Sequence, residues 1–205
     1  MTEPVTQTRR YKAVVIGSSA GGMKALRTIF EGLSPSFRIP VIIVQHISPD
    51  SENYLIQILN DQKKLTVKEA DEKEKPARGM AYIAPPNYHL LFESDQTFSL
   101  TIDERVNYAR PSIDVLFETA AEAYKDSLIG IILTGANTDG SRGLKKIKEF
   151  GGLAIVQDPE TAEAESMPRA AMITSQADRV LPIGEIAGFL NSLVENPLLM
   201  SLKIF

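Results

Sequence analysis

Short runs of aliphatic and β-branched residues alternate along this chain with longer stretches whose apolar positions recur at helical spacing. Tyr11 to Ile16 reads as a buried strand. Gly21 to Leu33 reads as a helix, because Met23, Leu26, Ile29, Phe30 and Leu33 share one face. Pro40 to Val44 is a second short strand, rich in β-branched residues. Pro49 to Asn60 is expected to be helical, with Tyr54, Leu55, Ile58 and Leu59 inward. After a break the same alternation returns. Ser112 can cap a helix running to about Tyr124, followed by a strand over Leu128 to Leu133. A helix over Ser141 to Phe150 stops at Gly151-Gly152, ahead of a strand at Leu153 to Val156. Glu165 to Thr174 is expected to be helical, with Pro168 near its first turn. Val180-Leu181 adds a short strand and Gly184 to Val194 a last helix. The pattern predicts an α/β fold: a doubly wound, mostly parallel sheet with helices on both faces.

The middle of the chain departs from this rhythm. Asp71 to Pro76 is a mixed-charge loop. Three β-like segments follow, Met80 to Ala84, His89 to Glu93 and Phe98 to Thr101, punctuated by Pro85-Pro86-Asn87 and Ser94-Asp95-Gln96. They predict a small antiparallel meander over about residues 79–102. Residues 1–10 read as a flexible tail, 11–196 as one domain and 197–205 as a C-terminal tail.

Composition narrows the chemistry. A net charge of −4 gives no general attraction to nucleic acid or anionic membranes. The cluster Lys145-Lys146-Lys148 reads as the wet face of a helix. The chain has no cysteine, which removes thiol nucleophiles, Cys-zinc sites and disulfides together. No apolar stretch approaches the roughly 20 residues of a spanning helix, and the polar N-terminus lacks a signal-peptide core. Cytoplasmic location without stable membrane insertion is the resulting expectation.

In open α/β sheets, sites form beyond the carboxyl ends of strands, where strand order reverses. Here the first strand runs into Gly17-Ser18-Ser19-Ala20-Gly21-Gly22 and the second ends in Gln45-His46. The strand at Leu128 to Leu133 runs into Thr134-Gly135-Ala136-Asn137-Thr138-Asp139-Gly140. Together these ends supply a hydroxyl, an imidazole and a carboxylate. A serine hydroxyl needs a base, and the ordinary pKa of histidine, about 6.5, suits it to that task. The imidazolium then needs an orienting carboxylate on its other nitrogen. His46 is one of only two histidines. Ser19 holds the central position of a Gly-x-Ser-x-Gly elbow, with Ser18 as the neighbouring alternative. The helix start at Ala20-Gly21-Gly22 offers free amides suited to a developing oxyanion, worth roughly 3–4 kcal/mol per donor in other hydrolases.

The same residues admit plainer roles. A glycine-rich turn at a helix start can cradle a phosphate, although the spacing here matches neither nucleotide motif. It can also be a turn without chemistry. His46 can bond a carbonyl, and Asp139 can cap the helix that starts near Ser141. His89, between Tyr88 and Leu90, reads as a structural histidine, and the two histidines form no metal-ligand spacing. A non-catalytic α/β scaffold that binds a partner therefore stands beside a serine esterase.

Several motifs in order resemble one family, the catalytic domain of chemotaxis protein-glutamate methylesterases (CheB-type). Ile16 to Gly22 resembles its Ile-Gly-small-Ser-Thr-Gly-Gly turn, and Val44-Gln45-His46 its Val-Gln-His. Tyr82-Ile83-Ala84-Pro85 with His89, and Arg110-Pro111-Ser112-Ile113-Asp114-Val115-Leu116-Phe117, resemble two further signatures. Leu133 to Gly140 resembles Leu-Thr-Gly-Met-Gly-x-Asp-Gly, and Gln157-Asp158 and Met167-Pro168 match two more signals. The resemblance covers roughly Tyr11 to Leu193 and implies hydrolysis of glutamate γ-methyl esters on methyl-accepting chemotaxis receptors. Some members also deamidate receptor glutamines. By position, Ser19 would be the nucleophile, His46 the general base and acid, and Asp139 the orienting carboxylate. Ala20, Gly21 and Ala136 would line the oxyanion and substrate site, with no cofactor and no metal. A substrate presented on a receptor helix calls for an open site, with Arg110 as the candidate for contacting acidic receptor side chains. Family members often carry an N-terminal receiver domain, for which 205 residues leave no room. Two departures stand out. Ala20 replaces a Thr, and Ala136-Asn137 replaces Met-Gly, where Asn is expected to supply the left-handed backbone that Gly allows.

Overall fold

A computed structural model describes residues 11–46 and 54–195. Its centre is a seven-stranded sheet in the order β3-β4-β2-β1-β7-β8-β9, every pairing parallel. The strands are β1 (Ala13–Ser18), β2 (Val41–Gln45), β3 (Thr66–Glu69), β4 (Met80–Ile83), β7 (Leu128–Ile132), β8 (Leu153–Gln157) and β9 (Arg179–Leu181). A separate antiparallel hairpin joins β5 (His89–Phe92) to β6 (Phe98–Thr101). The helices are α1 (Gly22–Gly32), α2 (Tyr54–Asn60), α3 (Ile113–Tyr124), α4 (Ser141–Glu149), α5 (Ser166–Ser175) and α6 (Ile183–Glu195). No helix among the described residues is long and apolar enough to cross a membrane.

The apolar runs become strands because a parallel sheet needs both faces covered. Side chains alternate across β1: Val14 and Ile16 pack with Leu26, Ile29 and Phe30 of α1 and with Ile186 and Leu190 of α6. Ala13 and Val15 face the opposite core, with Ile113, Leu116 and Phe117 of α3, Leu144 of α4 and Ala171 of α5. Each fully buried Leu, Ile or Phe contributes about 1.5–3 kcal/mol, so α3 is anchored along its length and its N-terminus is held in one place. Phe92, Phe98, Tyr82 and Tyr124 form an edge-packed aromatic group that fixes the hairpin against α3.

The α/β class matches the expectation, with differences at the level of elements. The segment expected to open the meander is β4, a strand of the main sheet paired in parallel with β2 and β3. Among the strands of the described residues, β5 and β6 alone pair antiparallel. Strand β3 was not anticipated, because only Val67 is buried and its neighbours are polar or half-exposed, as on an edge strand. The expected helix at Pro49 to Asn60 appears as Tyr54–Asn60, its first part lying outside the described residues, as do both expected tails.

The register decides where the chemistry emerges. Ser18 pairs with Gln45, and Gly17 with Ile132. From β1 the chain winds one way to β2 and later returns on the other side as β7, so order reverses between β1 and β7. Ser19, His46 and Thr134 therefore leave the sheet at one level, beside the switch point.

Candidate active site

The turn after β1 distinguishes its two serines. Ser18 is fully buried, and its Oγ donates to Gln45 Oε1 at 2.6 Å. The Gln45 amide in turn donates to the carbonyls of Ser19 (2.8 Å) and His46 (2.9 Å). Ser18 and Gln45 thus stitch the ends of β1 and β2 together. Ser19 is half-buried, and its Oγ donates to no group among the described residues. Its backbone is fixed instead, with the N–H on Thr134 O at 3.0 Å and the carbonyl accepting from Gly22. The hydroxyl presented outward is that of Ser19.

Gly21 caps α1 in the left-handed region, φ 77°, which an L side chain rarely adopts. The turn leaves the amides of Ala20 and Gly21 without acceptors among the described residues. Ala20 and Ala136 are both exposed, on the loops that follow β1 and β7. Thr134 closes the base of the turn: its Oγ1 donates to Ala20 O at 2.8 Å and accepts from Ala164 N at 2.9 Å.

His46 lies immediately after β2, with its N–H on Ser18 O at 3.0 Å. Its side chain is 14% exposed, and its Nε2 is 3.1 Å from Asp139 Oδ2. Nδ1 is 3.3 Å from Asn137 Nδ2.

Asp139 is 1% exposed and surrounded by donors. Oδ2 takes the His46 ring and Ile113 N–H (2.7 Å). Oδ1 takes Asn107 Nδ2 (2.8 Å), Ser112 Oγ (2.9 Å), Asp114 N–H (3.1 Å) and Gly140 N–H (3.1 Å). Two of these are amides of the first turn of α3, whose dipole end favours a negative charge. Burial works to raise the Asp139 pKa, but the bonds from His46, Asn107 and the α3 amides outweigh it and hold the carboxyl below its ordinary value. Gly140, at φ 88°, lets the chain turn directly from this carboxylate into α4. Asp139 does cap a helix, but chiefly α3, from across the fold, and not the α4 that follows it in sequence.

Further residues complete this end. Asn107 donates to Asp114 as well as to Asp139, and Asp114 accepts from Gly143 N–H at 2.7 Å, tying α3 to α4. His89 is buried, with Nδ1 accepting from Ser112 N and Nε2 on Glu104 O, a structural role as its setting implied. No group of acidic or histidine residues among the described residues is arranged to hold a metal ion. Arg110 is half-buried, and its Nη1 donates to the carbonyls of Ile102 (2.6 Å) and Asp103 (2.9 Å). These bonds tie Arg110 to the loop that carries Asn107. Ser112 stands at the start of α3 as expected, but its Oγ donates to Asp139 and caps no amide of the helix, and this bond and the roles of Gln45, Asn107 and Asp114 were not read from the sequence. Gln45, Ser112 and Asp114 fall within the quoted motifs, so the signal was present without its geometry.

Known proteins resemble this chain over most of its length. The family described as CheB methylesterase matches residues 14–190. A Leptospira interrogans protein, provisionally named protein-glutamate methylesterase/protein-glutamine glutaminase, is 56% identical over 188 residues, covering 92% of this chain and 97% of that one. The protein-glutamate methylesterase/protein-glutamine glutaminase of Thermotoga maritima is 39% identical over 89% of this chain, which spans about half, 54%, of that protein's length. The crystal structure of the Thermotoga maritima CheB methylesterase catalytic domain superposes with a TM-score of 0.85 at 38% identity, covering 89% of this chain and 98% of that one.

Proposed function

Because this chain belongs to the CheB methylesterase family, we propose that it hydrolyses glutamate γ-methyl esters on methyl-accepting chemotaxis receptors and deamidates receptor glutamines. Ser19 is the nucleophile, His46 the base and acid, and Asp139 the orienting carboxylate. The observation that carries this reading is the bond of His46 Nε2 to a buried, fully solvated-by-protein carboxylate, made one strand away from the unengaged hydroxyl of Ser19.

Since Nε2 faces Asp139, the working nitrogen is Nδ1. Ser19 Oγ attacks the ester carbonyl carbon while its proton passes to His46 Nδ1, and the imidazolium is held by Asp139. The carbonyl oxygen gains negative charge and is received by free amides, with Ala20 N–H and the loop at Ala136 as the candidates. When the tetrahedral adduct collapses, the C–O bond to the methoxy group breaks and Nδ1–H protonates the departing methoxide oxygen, so that methanol leaves. Water then enters, gives a proton to Nδ1 and attacks the acyl-enzyme. Collapse returns the proton from Nδ1 to Ser19 Oγ and releases the glutamate side chain as its acid, which gives its remaining proton to water and becomes the carboxylate. On glutamine the same steps release ammonia. In the resting structure Ser19 Oγ does not bond His46, which is common before substrate aligns the groups.

Exposure of Ala20 and Ala136 supports access for a side chain carried on another protein. The cytoplasmic location and the absence of a cofactor belong to the same proposal. Incubation with a methylated receptor fragment tests it. Methanol release by the wild-type protein is expected, whereas binding without methanol would make the protein a scaffold.

A further inference from the structure

We infer that Asn137 is a positioning residue that, with Asp139, fixes which nitrogen of His46 carries the proton. The inference deepens the esterase reading and rests on it. The two ends of the Asn137 amide differ in what they can do. Oδ1 accepts the backbone N–H of Asp139 at 3.0 Å, so Nδ2 is the end turned to the imidazole, 3.3 Å from Nδ1. Reversing the amide would set donor against donor at Asp139 N–H, so the hydrogen-bond network chooses this orientation. An amide NH2 only donates, so Nδ1 must offer its lone pair. On the other side of the ring, Asp139 is a carboxylate ringed by donors and can only accept from Nε2. Both neighbours therefore demand the same tautomer, with Nε2 protonated and Nδ1 free to act as the base.

The sequence suggests another use for this residue, a left-handed backbone in place of glycine. Asn137 is not among the described non-glycine residues with positive φ. Its side chain is what the site uses. At 3.3 Å its bond to Nδ1 is long for a hydrogen bond, so the Ser19 hydroxyl can displace it when substrate aligns the nucleophile.

Asn137→Asp separates this role from a merely structural one. The variant keeps an oxygen for Asp139 N–H and nearly the same volume, but it presents an acceptor to Nδ1 and draws a proton onto that nitrogen. We expect kcat on a small methyl ester to fall about 10-fold or more, as loss of a general base requires, with KM changed less than about two-fold. With only two histidines in the chain, 15N NMR can read the ring directly. Wild type should show one protonated and one unprotonated ring nitrogen on His46, and Asn137→Asp two protonated ones at the same pH. Asn137→Ala, which removes the donor without adding an acceptor, should shift the Nδ1 resonance towards that of a free pyridine-type nitrogen and lose less activity than Asn137→Asp. An unchanged Nδ1 resonance in Asn137→Ala, or wild-type kcat with a neutral ring in Asn137→Asp, would overturn the role. Wild-type protein inert towards the ester would contradict the esterase reading instead, and the NMR comparison would still decide the Asn137 claim.

Discussion

The two ends of the site are built in opposite ways. At the Asp139 end, a buried carboxylate receives six hydrogen bonds, from a ring, an amide side chain, a hydroxyl and three backbone amides. At the Ser19 end, the hydroxyl has no partner among the described residues, and neighbouring amides stand free. The difference has a physical reason. A buried charge left short of partners costs several kcal/mol, so the carboxylate must be solvated in advance by the protein. The nucleophile and the oxyanion donors need partners only during reaction, and satisfying them at rest would compete with substrate. Rigidity is concentrated where charge is permanent, and vacancy where charge is transient.

Asp139→Asn should give the largest effect of the substitutions that probe this contrast. An amide cannot accept at both ends: with its NH2 in place of Oδ2, the Ile113 N–H and the His46 ring both lose their acceptor and the ring is pushed towards the wrong tautomer, and with it in place of Oδ1, four other donors lose theirs. A fall in kcat of roughly 10⁴-fold is expected if the serine-protease precedent transfers, together with a lower Tm. Acid stability sharpens the point. The folded-state pKa of Asp139 lies below its unfolded value, so its contribution is fully present above about pH 4. That contribution is lost as pH falls through the lower folded value. A plot of Tm against pH should therefore fall less steeply in Asp139→Asn than in wild type over this acid range. Identical slopes would mean that Asp139 is not the stabilising charge.

Asn107→Ala should have an intermediate effect, because it removes a donor shared by Asp139 and Asp114 without touching His46. We expect a loss of about 1–3 kcal/mol in stability and a fall in kcat of the order of 10-fold, the scale on which outer partners of a reacting group act in metal sites. A loss of activity without a loss of stability would place Asn107 in contact with substrate.

Ser18→Ala should have the smallest effect on rate. It leaves Gln45 Oε1 short of a donor, at about 1–3 kcal/mol of stability, while kcat stays within about a few-fold of wild type, as for a change outside the reacting groups. A collapse of kcat in a folded Ser18→Ala protein would erase the distinction between the two serines.

Much of this was legible in the sequence, for reasons that also mark where legibility stopped. Ser19 and His46 could be placed because each directly follows a buried strand, and parallel order brings strand ends to one edge. Segment 80–83 looked like part of a meander because four apolar residues between turns say nothing about strand direction. Its partners, β2 and β3, fix that direction from outside the segment. Asn107 sits in a polar loop at φ 51°, and only the fold brings it to Asp139. Asp139 was readable as a possible cap, but of the helix after it. That it caps α3 is a long-range fact, carried by the packing of Ile113, Leu116 and Phe117 on the sheet.

The most direct test of the central claim is covalent. Wild-type protein treated with a fluorophosphonate and digested should carry the phosphonyl group on the peptide containing Gly17 to Gly22, with fragmentation assigning it to Ser19. Ser19→Ala should remain unlabelled while Ser18→Ala is labelled. A label on Ser18, or undiminished labelling in Ser19→Ala, would contradict the assignment of Ser19 as the activated nucleophile.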